Sequence, residues 1–270
     1  MTPGVIRTIA VSVFRESVRD KVLYNLVFFA VMMIAVSYLL SQLTAGQDMK
    51  VIKDLGLAAM SLFGLFIAVF IGIGLVSKEV EKRSIYALLA KPIRRQEFIV
   101  GKYLGLILTL FVNLAIMAVA YYGVLGVVAW LDGAWIRPHW EAPAVDPALL
   151  KAIAMIFCQL AIVVAIALFF STFSSPMLAA ALTFGLYVVG HFNADLKNFD
   201  KVVDSKPIAY VARALYYVLP NLAPLDVKSE VVHAVHVPAA LLLVNAAYSI
   251  VYVSILVSAA TFVFTRRDFK

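Results

Sequence analysis

One acid and two histidines are the residues best suited to metal chemistry outside the apolar segments. Glu230, His233 and His236 are spaced i, i+3 and i+6, so a helix would carry them loosely on one face. Carboxylate and imidazole groups are metal ligands, and such a face could hold a divalent cation. In a short helix outside a membrane, such side chains are more often exposed to solvent. We therefore favour a solvated face and expect no metal site.

Catalytic motifs with a known physical mechanism are missing from the sequence. It has no HExxH helix, no GxSxG turn, no aspartate-rich diphosphate motif and no P-loop. The single cysteine, Cys158, lies in an apolar run and is expected to pack as a small hydrophobic residue. We expect no enzymatic activity, no catalytic residue and no cofactor on this chain. Any ATP that drives the protein must bind to another chain.

Polar residues inside the apolar runs are few and formally neutral. They are four amides and one histidine: Asn25, Asn113, Gln159, His191 and Asn245. Such groups usually form hydrogen bonds between membrane helices. Ion-coupled pumps depend on an acid or base near the middle of a span. The sequence places none there, which argues against an ion-coupled transporter.

A charged segment, residues 78–99, follows the second apolar run. It has a charged start, a short helix carrying Leu88 and Leu89, a break at Pro92 and then a basic turn. This pattern predicts a small amphipathic element at the membrane surface. Such an element could anchor in the lipid headgroups or dock on a soluble partner, and its composition alone favours neither.

The elements that must position these residues are strongly apolar. Of the 270 residues, 63% are hydrophobic and 14% are charged, whereas a soluble domain has about 25% charged residues. Lipid solvates apolar side chains, so a single membrane domain over residues 1–270 is the simplest organisation. Because about 20 residues cross the hydrocarbon layer, an all-α fold with six transmembrane helices is predicted at 22–42, 56–77, 100–130, 148–171, 176–192 and 238–264.

Two segments outside the spans are also predicted to be helical. Residues 5–21 place polar side chains at helical spacing, which predicts an amphipathic interfacial helix, with a plain extension of the first span as the alternative. Residues 193–237 predict two short external helices between spans five and six. The first covers 207–219, and the second has Asp226 as its N-cap.

Charge predicts the orientation. The net charge is +7, but the bases lie at the ends of apolar runs, so we expect no nucleic-acid partner. The N-terminal segment, residues 78–99 with Lys102, and residues 266–270 together carry 14 of the 23 bases and six acids. Lys and Arg concentrate on the cytoplasmic side of a bilayer. We therefore predict a multi-pass protein of the cell inner membrane with both termini in the cytoplasm.

The segment after the second span resembles a known family. Its run is Glu79-x-Glu81-Lys82-Arg83-x-Ile-x-x-Leu88-Leu89-x-Lys91-Pro92-Ile-x-Arg95-x-Glu97-Phe98-x-x-Gly101-Lys102. This run resembles the signature loop of ABC-2 type transporter permeases, which include those related to the nitrous-oxide reductase maturation transporter. The family usually has Gly-Thr or a similar pair where this sequence has Ser84-Ile85.

The resemblance implies a non-catalytic subunit of an ATP-driven ABC transporter. Two permease subunits, identical or different, would form the pathway, and separate ABC ATPase subunits would bind ATP and Mg beneath them. A short cytoplasmic coupling helix within 78–99 would transmit nucleotide-driven closure. The residues implied in this coupling are Glu79, Glu81, Lys82, Arg83, Leu88, Leu89, Lys91, Pro92, Arg94 and Arg95.

Two other functions stay open on sequence grounds. An ABC-like assembly could pass mechanical work to a periplasmic partner through residues 193–237 without moving any cargo. A membrane-embedded lipid-modifying enzyme would need a cluster of ionisable residues at one membrane face, and the sequence shows none. The substrate cannot be read from the sequence.

Overall fold

The computed structural model describes residues 3–41, 48–81, 94–131, 145–193 and 206–266, and every regular element within them is helical. This confirms the predicted all-α class. In chain order the elements are α1 (Pro3–Val18), α2 (Lys21–Ser41), α3 (Asp48–Glu81), α4 (Arg95–Leu131), α5 (Leu149–Ser171), α6 (Pro176–His191), α7 (Lys206–Val218), a 3-10 turn (Ala223–Leu225), α8 (Lys228–Val232) and α9 (Ala239–Arg266).

Five helices in the described ranges are long and apolar enough to cross a membrane. These are α2, α3, α4, α5 and α9. The predicted fifth span, 176–192, corresponds to α6, which is apolar but has 16 residues. That length is about 24 Å, against about 30 Å of hydrocarbon. By length, the structure therefore supports five of the six predicted spans.

The helices α3 and α4 extend beyond the predicted spans 56–77 and 100–130. They have 34 and 37 residues, which correspond to about 51 and 55 Å of helix. The helices continue because Lys, Glu and Arg are good helix formers even where they are too polar for the hydrocarbon layer. Residues 78–81 therefore belong to α3 and residues 95–99 to α4, so the connection between the two helices is shorter than predicted.

The bundle is centred on α3 and α5, the two most buried spans, whereas most of α2 and α9 is exposed on the isolated chain. The helix α3 packs against α2, α4 and α5, and α5 also contacts α6 and α9. Small residues allow the central pair to approach closely. A Cβ atom built at Gly72 would lie 2.6 Å from the Cβ of Ala167, a contact typical of small-residue packing in membranes.

The segment between α6 and α9 agrees only in part with the prediction. Helix α7 coincides with the first of the two predicted short helices, and its position outside the membrane stays a prediction. The second is shorter than predicted, because Val227 is the N-cap of α8 and the helix ends before His233. Asp226 instead accepts the backbone N–H of Lys228 at 3.4 Å and pairs with the Lys228 Nζ at 3.3 Å. The left-handed backbone of Ala234 (φ 57) follows the helix end.

The segment Pro220–Asp226, which contains the 3-10 turn, follows α7 and is hydrogen-bonded to α6 and α9. The backbone N–H of Leu222 donates to the Gly190 carbonyl at 2.9 Å, and the Tyr248 hydroxyl accepts the N–H of Asn221 at 2.8 Å. Asn245 Nδ2 donates to the Pro224 carbonyl at 2.6 Å. Buried backbone groups outside α-helices need such partners within the protein. Asn245 thus bonds to the 3-10 turn and not to another long helix.

Candidate coupling site

The structure places four of the predicted coupling residues at the ends of α3 and α4. Glu79 and Glu81 lie at the end of α3, Arg94 precedes α4 and Arg95 begins it. The other predicted residues lie outside the described part of the chain: Lys82, Arg83, Leu88, Leu89, Lys91 and Pro92. Their role in docking therefore stays a prediction.

Arg95 joins the start of α4 to the end of α9. Its Nη1 donates to the backbone carbonyl of Thr265 at 2.8 Å and contacts that of Phe264 at 3.4 Å. These carbonyls belong to the last turn of α9, where backbone acceptors lack intrahelical partners and the helix dipole is negative. The guanidinium therefore caps α9, whereas the neighbouring Arg94 is exposed.

Two charged residues are buried in the first turns of α4. Glu97 is 3% exposed and Lys102 is 0% exposed. The Lys102 Nζ lies 4.6 Å from the centroid of the Phe98 ring, and that ring stacks on Phe264 of α9 at 5.7 Å. A cation near an aromatic face is stabilised by the ring quadrupole. This cluster strengthens the contact between α4 and α9 at the end of α4 nearest the coupling segment.

Two glycines on α4 form the surface on which α1 packs. A Cβ atom built at Gly105 would lie 2.6 Å from the Ala10 carbonyl and 2.7 Å from the Val13 Cβ, and one built at Gly101 would lie 2.8 Å from the Ile9 Cβ. Only glycine allows this approach without a shift of α1. Two glycines four residues apart are a sequence signal for close helix packing in membranes. The spacing of Gly101 and Gly105 could have indicated a packing surface on α4, but not that α1 occupies it.

The arrangement brings α1, α4 and α9 together beside the predicted coupling segment, and the described part of the chain has five helices long enough to cross a membrane. A family model described as "ABC-2 family transporter protein" matches residues 7–269. The chain belongs to the ABC-2 transporter family. A search of curated proteins gave no match. Membership confirms the resemblance to ABC-2 type permeases and identifies an integral membrane component of a transporter, whereas the likeness to permeases of nitrous-oxide reductase maturation stays a prediction.

The polar residues within the spans of this ABC-2 protein have different kinds of partner. Gln159 on α5 and His191 on α6 form a bond between helices, with 2.7 Å between their Nε2 atoms. The His191 Nδ1 lies 2.9 Å from the Tyr187 carbonyl, so Nδ1 donates there and Nε2 accepts from the amide. Asn113 instead donates to Thr109 of its own helix at 2.9 Å, and Asn25 is exposed. The predicted role between helices thus holds for the Gln159–His191 pair.

A buried lysine lies near the opposite end of α3 from the coupling segment. Lys53 falls outside the predicted span 56–77, but α3 begins at Asp48 and the Lys53 side chain is 0% exposed. The Tyr121 hydroxyl of α4 donates to the Lys53 carbonyl at 3.2 Å. Hydropathy could not reveal this burial, because a lysine near a span end usually reaches water.

The three residues first considered for metal binding do not share one helix. Glu230 lies in α8, His233 is the C-cap of that helix, and His236 lies in the irregular stretch between α8 and α9. The described part of the ABC-2 chain contains no group of three or more His, Cys, Asp or Glu residues that could hold a metal ion.

Proposed function

We propose that this chain is the permease subunit of an ATP-driven ABC transporter, that two such subunits form the pathway, and that a separate ABC ATPase docks on residues 78–99. Family membership supports the transporter class. The observation that carries the coupling role is the attachment of α4 beside that segment. Arg95 holds α9, and Gly101 and Gly105 hold α1.

The lengths of α3 and α4 support a docking point at the surface of the bilayer. Beyond the predicted spans, α3 continues through residues 78–81 and α4 begins with residues 95–99, which adds about 6–8 Å to each helix. One headgroup layer has about the same thickness. The connection between the two helices would therefore lie at the outer edge of the headgroups, where a soluble ATPase can reach it. Displacement of this connection would move the first turn of α4, and α1 and α9 would move with it.

The docking surface in this proposal combines an apolar centre with a charged rim. Leu88 and Leu89 form the centre, and the rim consists of Glu79, Glu81, Lys82, Arg83, Lys91, Arg94 and Arg95. ATP and Mg bind to the partner. The proposal also includes a short fifth crossing through α6, both termini in the cytoplasm and a location in the cell inner membrane.

The deciding experiment replaces both leucines, Leu88→Ala with Leu89→Ala. Burial of one leucine contributes about 1.5–3 kcal/mol, so their loss should weaken docking at least tenfold. Co-purification of the ATPase and hydrolysis by the complex are measured at equal membrane levels of the permease. The matched control is Leu39→Ala with Leu40→Ala, an adjacent leucine pair exposed on α2. Full retention of ATPase and hydrolysis by the Leu88/Leu89 variant would exclude this docking surface.

A separate measurement tests whether ATP binds to the partner and not to this chain. The sequence has no P-loop, so the purified chain should bind no ATP in equilibrium dialysis with labelled nucleotide. Stoichiometric ATP binding by this chain alone would contradict the proposed function, whatever the docking variants do.

A further inference from the structure

A groove of about 510 Å³ runs between α4 and α9 at the ends joined by Arg95. Its α4 wall includes Gln96 and Val100, and its α9 wall runs from Val257 through Thr261 and Phe262 to Arg266. Arg266 lies nine positions after Val257, which is about 14 Å along a helix. One headgroup layer is about 5–8 Å thick. The groove is therefore long enough to extend from the headgroup layer into the hydrocarbon layer.

The outer end of the groove is positively charged. The Arg266 guanidinium lies 4.2 Å from the centroid of the Phe262 ring, which holds it beside the groove. Gln96 adds an exposed amide. No acid is found among the described residues that line the groove. Arg95 contributes positive charge nearby, although its Nη1 already binds the α9 carbonyls.

The inner end of the groove carries no charge, and its lining combines Val100 and Val257 with the hydroxyl side chains of Ser258 and Thr261. Val100 and Val257 are half-buried, and both lie about a turn or more away from the charged end. A soluble anion would satisfy the arginine and leave this uncharged part empty. A molecule with an anionic head and a hydrocarbon chain fits both ends of the groove. Its head would lie in the headgroup layer and its chain in the hydrocarbon layer.

A second copy of the chain fits this groove less well. If α9 packed against its own counterpart about a two-fold axis, the same surface would face itself. The contact would bring two Arg266 side chains close together, and like charges across an interface repel. The charge of the groove therefore favours an anionic lipid over a second α9.

We infer that this groove is a binding site for one anionic phospholipid, with its phosphodiester at Arg266 and Gln96 and an acyl chain along Val100 and Val257. The site is distinct from the docking segment of the proposed function. It requires only that the chain be embedded in a bilayer, so failure of the docking experiment would leave it standing.

Native mass spectrometry of the purified full chain in mild detergent tests the inference, with phosphatidylglycerol and phosphatidylcholine of the same acyl chains as probes. One arginine near anionic lipid contributes about a fivefold change in affinity. Arg266→Gln should therefore weaken phosphatidylglycerol binding about fivefold and phosphatidylcholine binding less, because the choline cation offsets the phosphodiester charge in phosphatidylcholine. Arg15→Gln removes the same charge from the exposed face of α1 and should change neither lipid.

A second pair of variants tests the groove itself. Ser258 lines the groove and is exposed, so Ser258→Trp should fill it and reduce binding of both lipids. Val119→Trp places the same side chain at an exposed α4 position that does not line the groove. It should leave the binding of both lipids unchanged. Equal binding of the two lipids by the unaltered chain would overturn the inference. So would equal losses in Arg266→Gln and Arg15→Gln, or displacement of the lipid by inorganic phosphate at equal concentration.

Discussion

Gly105 and Gly123 show how the same residue type has different roles on one helix. Both lie on α4, but a Cβ atom at Gly105 would meet the backbone of α1, whereas one at Gly123 would meet nothing within 4 Å. The first glycine is required by a neighbouring helix and the second is not. The sequence displays the Gly101–Gly105 spacing, but it does not reveal which helix fills the space.

Replacement of these glycines should have opposite effects on stability. Gly105→Ala forces α1 away from α4 and should lower the free energy of unfolding by about 1–3 kcal/mol. Gly123→Ala restricts the unfolded chain without a clash and should raise it by about 0.5–1 kcal/mol. Thermal unfolding of both variants in the same detergent measures the difference. Equal stability of the two variants would show that α1 does not pack closely at Gly105.

At the scale of elements, the ends of helices were harder to predict than their centres. Hydropathy locates the residues that suit hydrocarbon, but α3 and α4 continue through charged residues that are equally able to form helix. The contact of Arg95 with the end of α9 spans 170 residues of sequence to Thr265. Nothing local to Arg95 identifies that acceptor, so the resemblance could only suggest that the residue matters.

The attachment of α4 to α9 leads to a prediction about two adjacent arginines. Arg95→Ala removes a charged donor from the α9 carbonyls and should lower the free energy of unfolding by about 1.5–3 kcal/mol. Arg94→Ala removes the same charge from an exposed neighbour and should change it by less than about 0.5 kcal/mol. Apparent melting temperatures in one detergent rank the two variants. The cap is refuted if Arg94→Ala is at least as damaging as Arg95→Ala.

At the scale of the whole molecule, composition correctly indicated an all-helical membrane protein. The order of packing was not predictable, because every span is apolar and lipid solvates apolar surface as well as a neighbouring helix does. The central positions of α3 and α5 follow instead from shape, as at Gly72 and Ala167. The predicted span 176–192 coincides with α6 (Pro176–His191) to within one residue, but at about 24 Å this helix is shorter than the hydrocarbon layer.

The charge asymmetry predicts the orientation of the whole chain. The test uses two variants, Asn198→Cys and Arg94→Cys, each made in a Cys158→Ala background. Intact cells that carry either variant are treated with a membrane-impermeant maleimide. The first should react and the second should not, because bases concentrate on the cytoplasmic side. Permeabilised cells provide the control, in which Arg94→Cys should also react. Labelling at Arg94→Cys alone in intact cells would reverse the orientation.

The segment Pro220–Asp226 packs against one end of the bundle. Leu222 and Leu225 are 0% and 1% exposed, and the backbone around them is bonded to α6 and α9. A solute that passed between the described helices at this end would have to displace Leu222 and Leu225. It would also have to break the hydrogen bonds that join this segment to α6 and α9. A pathway for a solute would therefore form more easily along the outer surface of this chain. A neighbouring molecule or the lipid would then face that surface across the pathway.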